Sequence, residues 1–179
     1  VGIPKGALWV GGGSQTPEGV EFMANLPTEE VFTAPDFRGT EGIVRATRPV
    51  TVLGDLVEGA TFTFEKGKVV EATASRGEET LKRFLDMDEG SRCLGEVALV
   101  DSSSPIYQSG YTFYNTLLDE NAACHIALGS AYPDTIEGGL EMSPEELEEA
   151  GLNRSLQHTD FMIGSEEVDV IGVRRDGSE

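Results

Sequence analysis

The chain is poor in the residues that carry most redox, disulfide and nucleic-acid chemistry: it has two cysteines, two histidines, one tryptophan and 13 basic residues in 179 positions. Cys93 and Cys124 lie far apart in no CxxC pattern, which excludes a disulfide framework and a zinc ribbon and makes a reduced cytosol the default compartment. No stretch approaches the roughly 18 uninterrupted apolar residues of a membrane span, and no basic segment followed by an apolar one opens the chain. A soluble, unsecreted cytoplasmic protein is therefore expected. Against the 13 basic residues stand 32 acidic ones, for a formal net charge of -19. Such a surface repels phosphates, so nucleic acid and anionic membranes are poor partners and cations are good ones. Most of these carboxylates are expected simply to solvate the surface.

The length suits one domain with a real core and argues against two. The first residue is Val1, and the chain stops at Glu179 just after Asp176-Gly177, a turn signal that usually joins two strands, so a fragment of a longer chain is expected. Residues 17–24 (PEGVEFMA) predict a short helix, with Thr16 as cap and Pro17 in first position. Pro27 disfavours helix beyond it, which puts Glu29 and Glu30 on an extended segment running into Val31-Phe32-Thr33. Residues 42–74 read as β, with two alternating arms flanking Lys66-Gly67 in a hairpin signature. Residues 77–85 read as an amphipathic helix and 95–100 (GEVALV) as an apolar strand interrupted by one carboxylate. Residues 117–129 form a second apolar segment, carrying Asp119, Glu120 and His125. The helix at 143–151 is well punctuated, with Ser143 as cap, Pro144 at the start and Gly151 at the end. Residues 160–164 and 168–173 are strand-like. Strands outnumber helices without alternating regularly with them, so a mostly antiparallel α+β domain is expected.

The scarcity of histidine narrows the search for chemistry. His158-Thr159-Asp160 sits on a strand-like segment, where residues two apart share a face and can bind one cation together, although a plain His-Asp hydrogen bond has the same signature. Glu96 interrupts GEVALV, and a carboxylate buried in an apolar strand needs a cation to neutralise it; the alternative is that alternation turns it to solvent. Glu29 and Glu30 point to opposite faces of an extended segment, so only one reaches a shared site. With His125, the set is two imidazoles and several carboxylates, the mix expected of zinc, cobalt or manganese in a hydrolytic site and not of calcium or a thiolate zinc finger. Ser102, Ser103 and Ser104 lack a GxSxG elbow and a histidine tied to them, which discounts a serine triad. Gly11-Gly12-Gly13 comes with no GK[ST] and no complete GxGxxG, and reads as an ordinary loop.

Five motifs in order, WVGGG at 9–13, TPEGVEFMANLPTEEVFTAPD at 16–36, GEVALVD at 95–101, FYNTLLDENAACHIALGSAYP at 113–133 and NRSLQHTDFMIG at 153–164, resemble the catalytic domain of the aminopeptidase T and aminopeptidase S family of metalloaminopeptidases. The resemblance runs through nearly all of the chain. It implies an α+β fold with a barrel-like mixed sheet and flanking helices, and a single catalytic domain over 1–179 that lacks an N-terminal α/β domain and the last C-terminal strand. The family's metal set falls on Glu30, Glu96, His125, Tyr132, His158 and Asp160. It further implies two divalent ions (zinc first, then cobalt, manganese or magnesium), a peptide substrate with a free N-terminus cleaved by a two-metal-activated water, and a homodimer in the full-length protein. Glu29 is the expected general base, Tyr132 the expected donor to the oxyanion, and Glu29, Asp119 or Glu120 the expected acceptor of the substrate amine. The rival reading is a metal-stabilised structural or interaction domain without turnover.

Overall fold

In the computed structural model, which describes residues 1–174 and 176–178, eleven strands and four short α-helices alternate irregularly. The centre is a four-stranded antiparallel sheet in the order β11 (His158–Met162), β10 (His125–Gly129), β9 (Leu94–Val100), β3 (Glu30–Thr33). Against it packs a three-stranded sheet of β4 (Gly42–Arg45), β7 (Thr61–Glu65) and β8 (Lys68–Thr73), together with the hairpin of β5 (Val50–Val52) and β6 (Asp55–Val57). β7 and β8 join at Lys66 and Gly67, both at positive φ (50° and 83°), the conformation that a tight two-residue hairpin turn demands.

The core lies where these sheets meet. Ile126, Leu128 and Phe161 leave the central sheet on one side and meet Val52, Phe62, Phe64 and Val69 from the others. The Phe62 and Phe161 rings pack edge to face at 4.9 Å. Helix α1 (Glu78–Leu85) closes this core with Leu81, Phe84 and Leu85, three and four residues apart on one face. Its first turn is acidic and its last turn basic, which complements the helix dipole. The remaining helices are α2 (Pro105–Ser109), α3 (Thr116–Asp119) and α4 (Pro144–Ala150). α4 carries a complete capping box between Ser143 and Glu146, and no residue of it is buried, in keeping with a solvated acidic face.

Three expectations need correction. Residues 17–24 form no helix: β1 (Gly13–Gln15) and β2 (Glu21–Met23) make a two-stranded hairpin there. Thr16 does cap, but it caps a turn, accepting from the Val20 amide while Gly19 at φ 83° reverses the chain. Residues 168–173 form no strand, since their alternating apolar side chains meet no strand edge among the described residues and stand exposed. The strands divide into four separate sheets with every pairing antiparallel, so the expected mixed, barrel-like sheet is not seen among the described residues.

Candidate metal centre

The register of the central sheet decides which side chains meet. Ala127 pairs with Glu96 on one side and Asp160 on the other, Gly129 pairs with His158, and Ala98 pairs with both His125 and Phe32. Residues directly opposite in antiparallel strands share a face, as do residues two apart. Glu30, Glu96, His125, His158 and Asp160 therefore all project from the face that lies away from the core. The residues between them in the rows are Ala98, Ala127 and Gly129, whose small size leaves room for the functional groups to converge.

One irregularity makes this possible. Leu94 and Glu96 would share a face in a regular strand, yet Leu94 pairs with Leu128 in the core and Glu96 with Ala127 at the site, because the register shifts between Ala127 and Leu128. Gly95 is the extra residue of this bulge. A Cβ on it would stand 2.3 Å from the Ser130 carbonyl oxygen and 2.5 Å from that of Gly129, so only glycine fits the approach.

Five side chains form two triads that share Glu96: Glu30, Glu96 and His125, and Glu96, His158 and Asp160. His125 Nε2 lies 2.9 Å from Glu30 Oε2 and 3.4 Å from Glu96 Oε1. His158 Nε2 lies 3.4 Å from Asp160 Oδ1 and 3.8 Å from Glu96 Oε2. Each ring is tied at its other nitrogen: His125 Nδ1 lies 3.0 Å from the Ala123 carbonyl oxygen and His158 Nδ1 2.7 Å from that of Ser130. A carbonyl can only accept, so Nδ1 donates to it and Nε2 is the nitrogen that faces the carboxylates, where it would offer its lone pair to a metal that displaced its proton, the arrangement that orients imidazole ligands of metals.

Electrostatics also favour a cation. Burial pushes the Glu96 carboxyl up, and Asp160 adds to the shift against the lowering pull of His125. Burial opposes the His125 imidazolium, but Glu30 and Glu96 outweigh it and hold its pKa well above 6.5. The same opposition at His158 is overcome by Asp160, raising it to about 9. Burial, Asp160 and Glu30 lift Glu120 to about 8. The cluster thus holds more negative charge than its imidazoles balance. Glu30 Oε2 is buried with His125 Nε2 at 2.9 Å, and when that ring is neutral at Nε2, as a metal ligand must be, the oxygen has no hydrogen bond. An orphaned carboxylate oxygen costs free energy unless a cation completes it, and carboxylate and imidazole are donors that divalent first-row metals accept, so the residues fit such ions.

The centre opens into a cleft of about 460 Å³ lined by Glu30, Glu96, His158 and Asp160, with His125 buried beneath them. Tyr132 lines the cleft with its ring 4.8 Å from that of His158, and burial and the surrounding carboxylates push its hydroxyl up to about 12. Glu29 is not brought in. It stands exposed outside the cleft while its backbone amide donates to Asn121. Asp119 is buried and spent on structure, accepting from the Phe113 and Asn115 amides. Glu120 does line the cleft, and no hydrogen bond engages its carboxylate among the described residues. Gly11, Gly12 and Gly13, expected to be an ordinary loop, form part of the cleft wall. The sequence signal for that wall was the run of glycines itself, which lacked a phosphate motif and so pointed nowhere.

The pattern of the family described as thermophilic metalloprotease (M29) matches residues 1–179. Aminopeptidase AmpS of Bacillus subtilis (strain 168) is 52% identical over 175 residues, covering 98% of this chain and 43% of that protein. Aminopeptidase T of Thermus aquaticus is 53% identical over 178 residues, 99% of this chain and 43% of that protein. The solved structure of wild-type AmpT from Thermus thermophilus superimposes with a TM-score of 0.92 at 53% identity, covering 99% of this chain and 44% of that one. The chain thus spans less than half the length of these relatives.

Proposed function

Because the chain belongs to the thermophilic metalloprotease (M29) family, we propose that it is the catalytic domain of a metal-dependent aminopeptidase, releasing the N-terminal residue of peptides at a site for two divalent ions. The observation that carries this reading is the pair of triads that share Glu96, each with an imidazole locked so that Nε2 faces the carboxylates. Glu30, Glu96 and His125 would hold one ion and Glu96, His158 and Asp160 the other. Two such ions, when bound, lower the pKa of a shared water and polarise the scissile carbonyl. Zinc is the first choice for two imidazoles with carboxylates and no thiolate, followed by cobalt, manganese or magnesium.

The remaining cleft groups take supporting roles. Of the three carboxylates expected to receive the substrate amine, Glu29 is exposed outside the cleft and Asp119 is occupied, which leaves Glu120. Tyr132 stands in the cleft wall beside His158, from where its hydroxyl would donate to the substrate oxygen as negative charge develops there. The position of Glu29 gives no support to a general-base role. The open cleft argues against a closed structural site, in which protein ligands fill every position. Both cysteines are free, in keeping with a cytosolic setting, and the family resemblance favours a homodimer of the whole protein.

The test is release of free amino acid from leucyl and arginyl peptides by chelator-stripped protein before and after zinc or cobalt is restored. Hydrolysis that appears only with metal supports the reading. Metal uptake without hydrolysis would leave a binding domain.

A further inference from the structure

The edge of the central sheet beside the centre is covered by a short piece of chain that is paired on one side only. Val10 exchanges two backbone hydrogen bonds with Phe32 of β3, each of 2.9 Å, so this segment lies antiparallel along the strand that carries Glu30. Along an extended chain, successive residues direct their N–H and C=O to opposite sides. Gly11 directly follows the residue spent on β3, and neither its N–H nor its C=O is hydrogen-bonded among the described residues. Gly11 is exposed and lines the same cleft as Glu30, Glu96, His158 and Asp160. It has no side chain to block that edge, and a Cβ built on it meets one atom within 4 Å, the Glu30 carbonyl oxygen at 3.8 Å.

We propose that Gly11 is a main-chain docking point at which an extended peptide substrate adds to the sheet edge, its N–H and C=O beyond the scissile bond pairing with the free C=O and N–H of Gly11. This rests on the aminopeptidase reading above and gives its substrate class: extended peptides of about three residues or more, favoured over single amino acids carrying a leaving group. Strand addition of this kind draws affinity from the main chain and is indifferent to side-chain identity, so it accepts many sequences while aligning the first peptide bond with the centre. Gly11 is a positioning residue in this scheme. It makes no contact with the reacting atoms.

Two variants separate hydrogen bonding from shape. Gly11→Pro removes the N–H, whereas Gly11→Ala keeps both backbone groups and fits the space at that position. In the metal-loaded protein, Gly11→Pro lowers kcat/KM for Leu-Gly-Gly about tenfold, the worth of one or two net hydrogen bonds, and leaves leucine p-nitroanilide within about twofold. Gly11→Ala leaves both substrates near their original values. Equal losses on the two substrates, equal effects of the two variants, or no effect of Gly11→Pro would each overturn the proposal. Hydrogen exchange at the Gly11 amide of the unsubstituted protein decides independently of folding and of turnover. A tripeptide whose first amide is replaced by a reduced CH2–NH link slows that exchange if the strand is added, and unchanged exchange at saturating peptide overturns it. Failure of the unsubstituted, metal-loaded protein to cleave leucine p-nitroanilide would instead count against the aminopeptidase reading.

Discussion

Histidine is so scarce in this chain that each imidazole could be weighed singly, and both prove to be held in the same way, with Nδ1 on a backbone carbonyl and Nε2 facing carboxylates. If that arrangement serves metal, His158→Ala should lose one of two bound ions and slow turnover at least about 100-fold, since loss even of a residue that only orients a ligand costs 10–100-fold. Metal analysis paired with peptide hydrolysis checks this, and unchanged metal content with unchanged activity would contradict it. At this scale the sequence was informative where alternation decides the face. The extended run of Glu29 and Glu30 announced that one alone reaches the centre, and the structure brings in Glu30. Glu120 was one of three equal candidates for the substrate amine, because the exposure of Glu29 and the hydrogen bonds of Asp119 arise from a fold that local sequence does not display.

Among the elements, the bulge at Gly95 connects fold to chemistry. Gly95→Ala should push the added methyl against the backbone carbonyls of Gly129 and Ser130, shifting β9 and carrying Glu96 out of register. The expected outcome is a thermal midpoint lowered by several degrees together with weaker metal binding, read by calorimetry on stripped and metal-loaded protein. Ser143→Ala is the counterpart: it removes the cap of α4, far from the centre, and should cost about 1 kcal/mol without changing metal affinity. α4, α1 and the β7/β8 hairpin were legible because each carries its own local punctuation. The segment at 17–24 misled for the same reason, since Thr16 and Pro17 spell a helix start while Gly19 at positive φ turns the chain back into a hairpin. The Gly95 bulge could not be read at all, because its cause is contact with residues more than thirty positions away.

For the whole molecule, the excess of acid makes stability sensitive to pH and to cations. Asp88 shows the sign. Burial raises its pKa, but hydrogen bonds from Leu156, Ser155 and Ser91 outweigh that and hold it below 3.8, so its contribution is present above the ordinary carboxylate range and is lost as pH falls through the folded value. Unfolding followed by circular dichroism should therefore show a smaller loss of stability below about pH 4 in Asp88→Asn than in the unsubstituted protein. Equal acid sensitivity would mean that Asp88 is not titrating as described. The antiparallel α+β class was visible from the excess of strands over helices, whereas division into separate sheets depends on strand pairings that no local pattern specifies.

The central claim is that Glu96 joins two divalent ions, and native mass spectrometry of zinc-reconstituted protein beside its Glu96→Gln variant tests it most directly. Two zinc ions per chain, falling to one or none in the variant while circular dichroism reports an unchanged fold, is the predicted result. A single ion in the unsubstituted protein, or the same count in both, would contradict it.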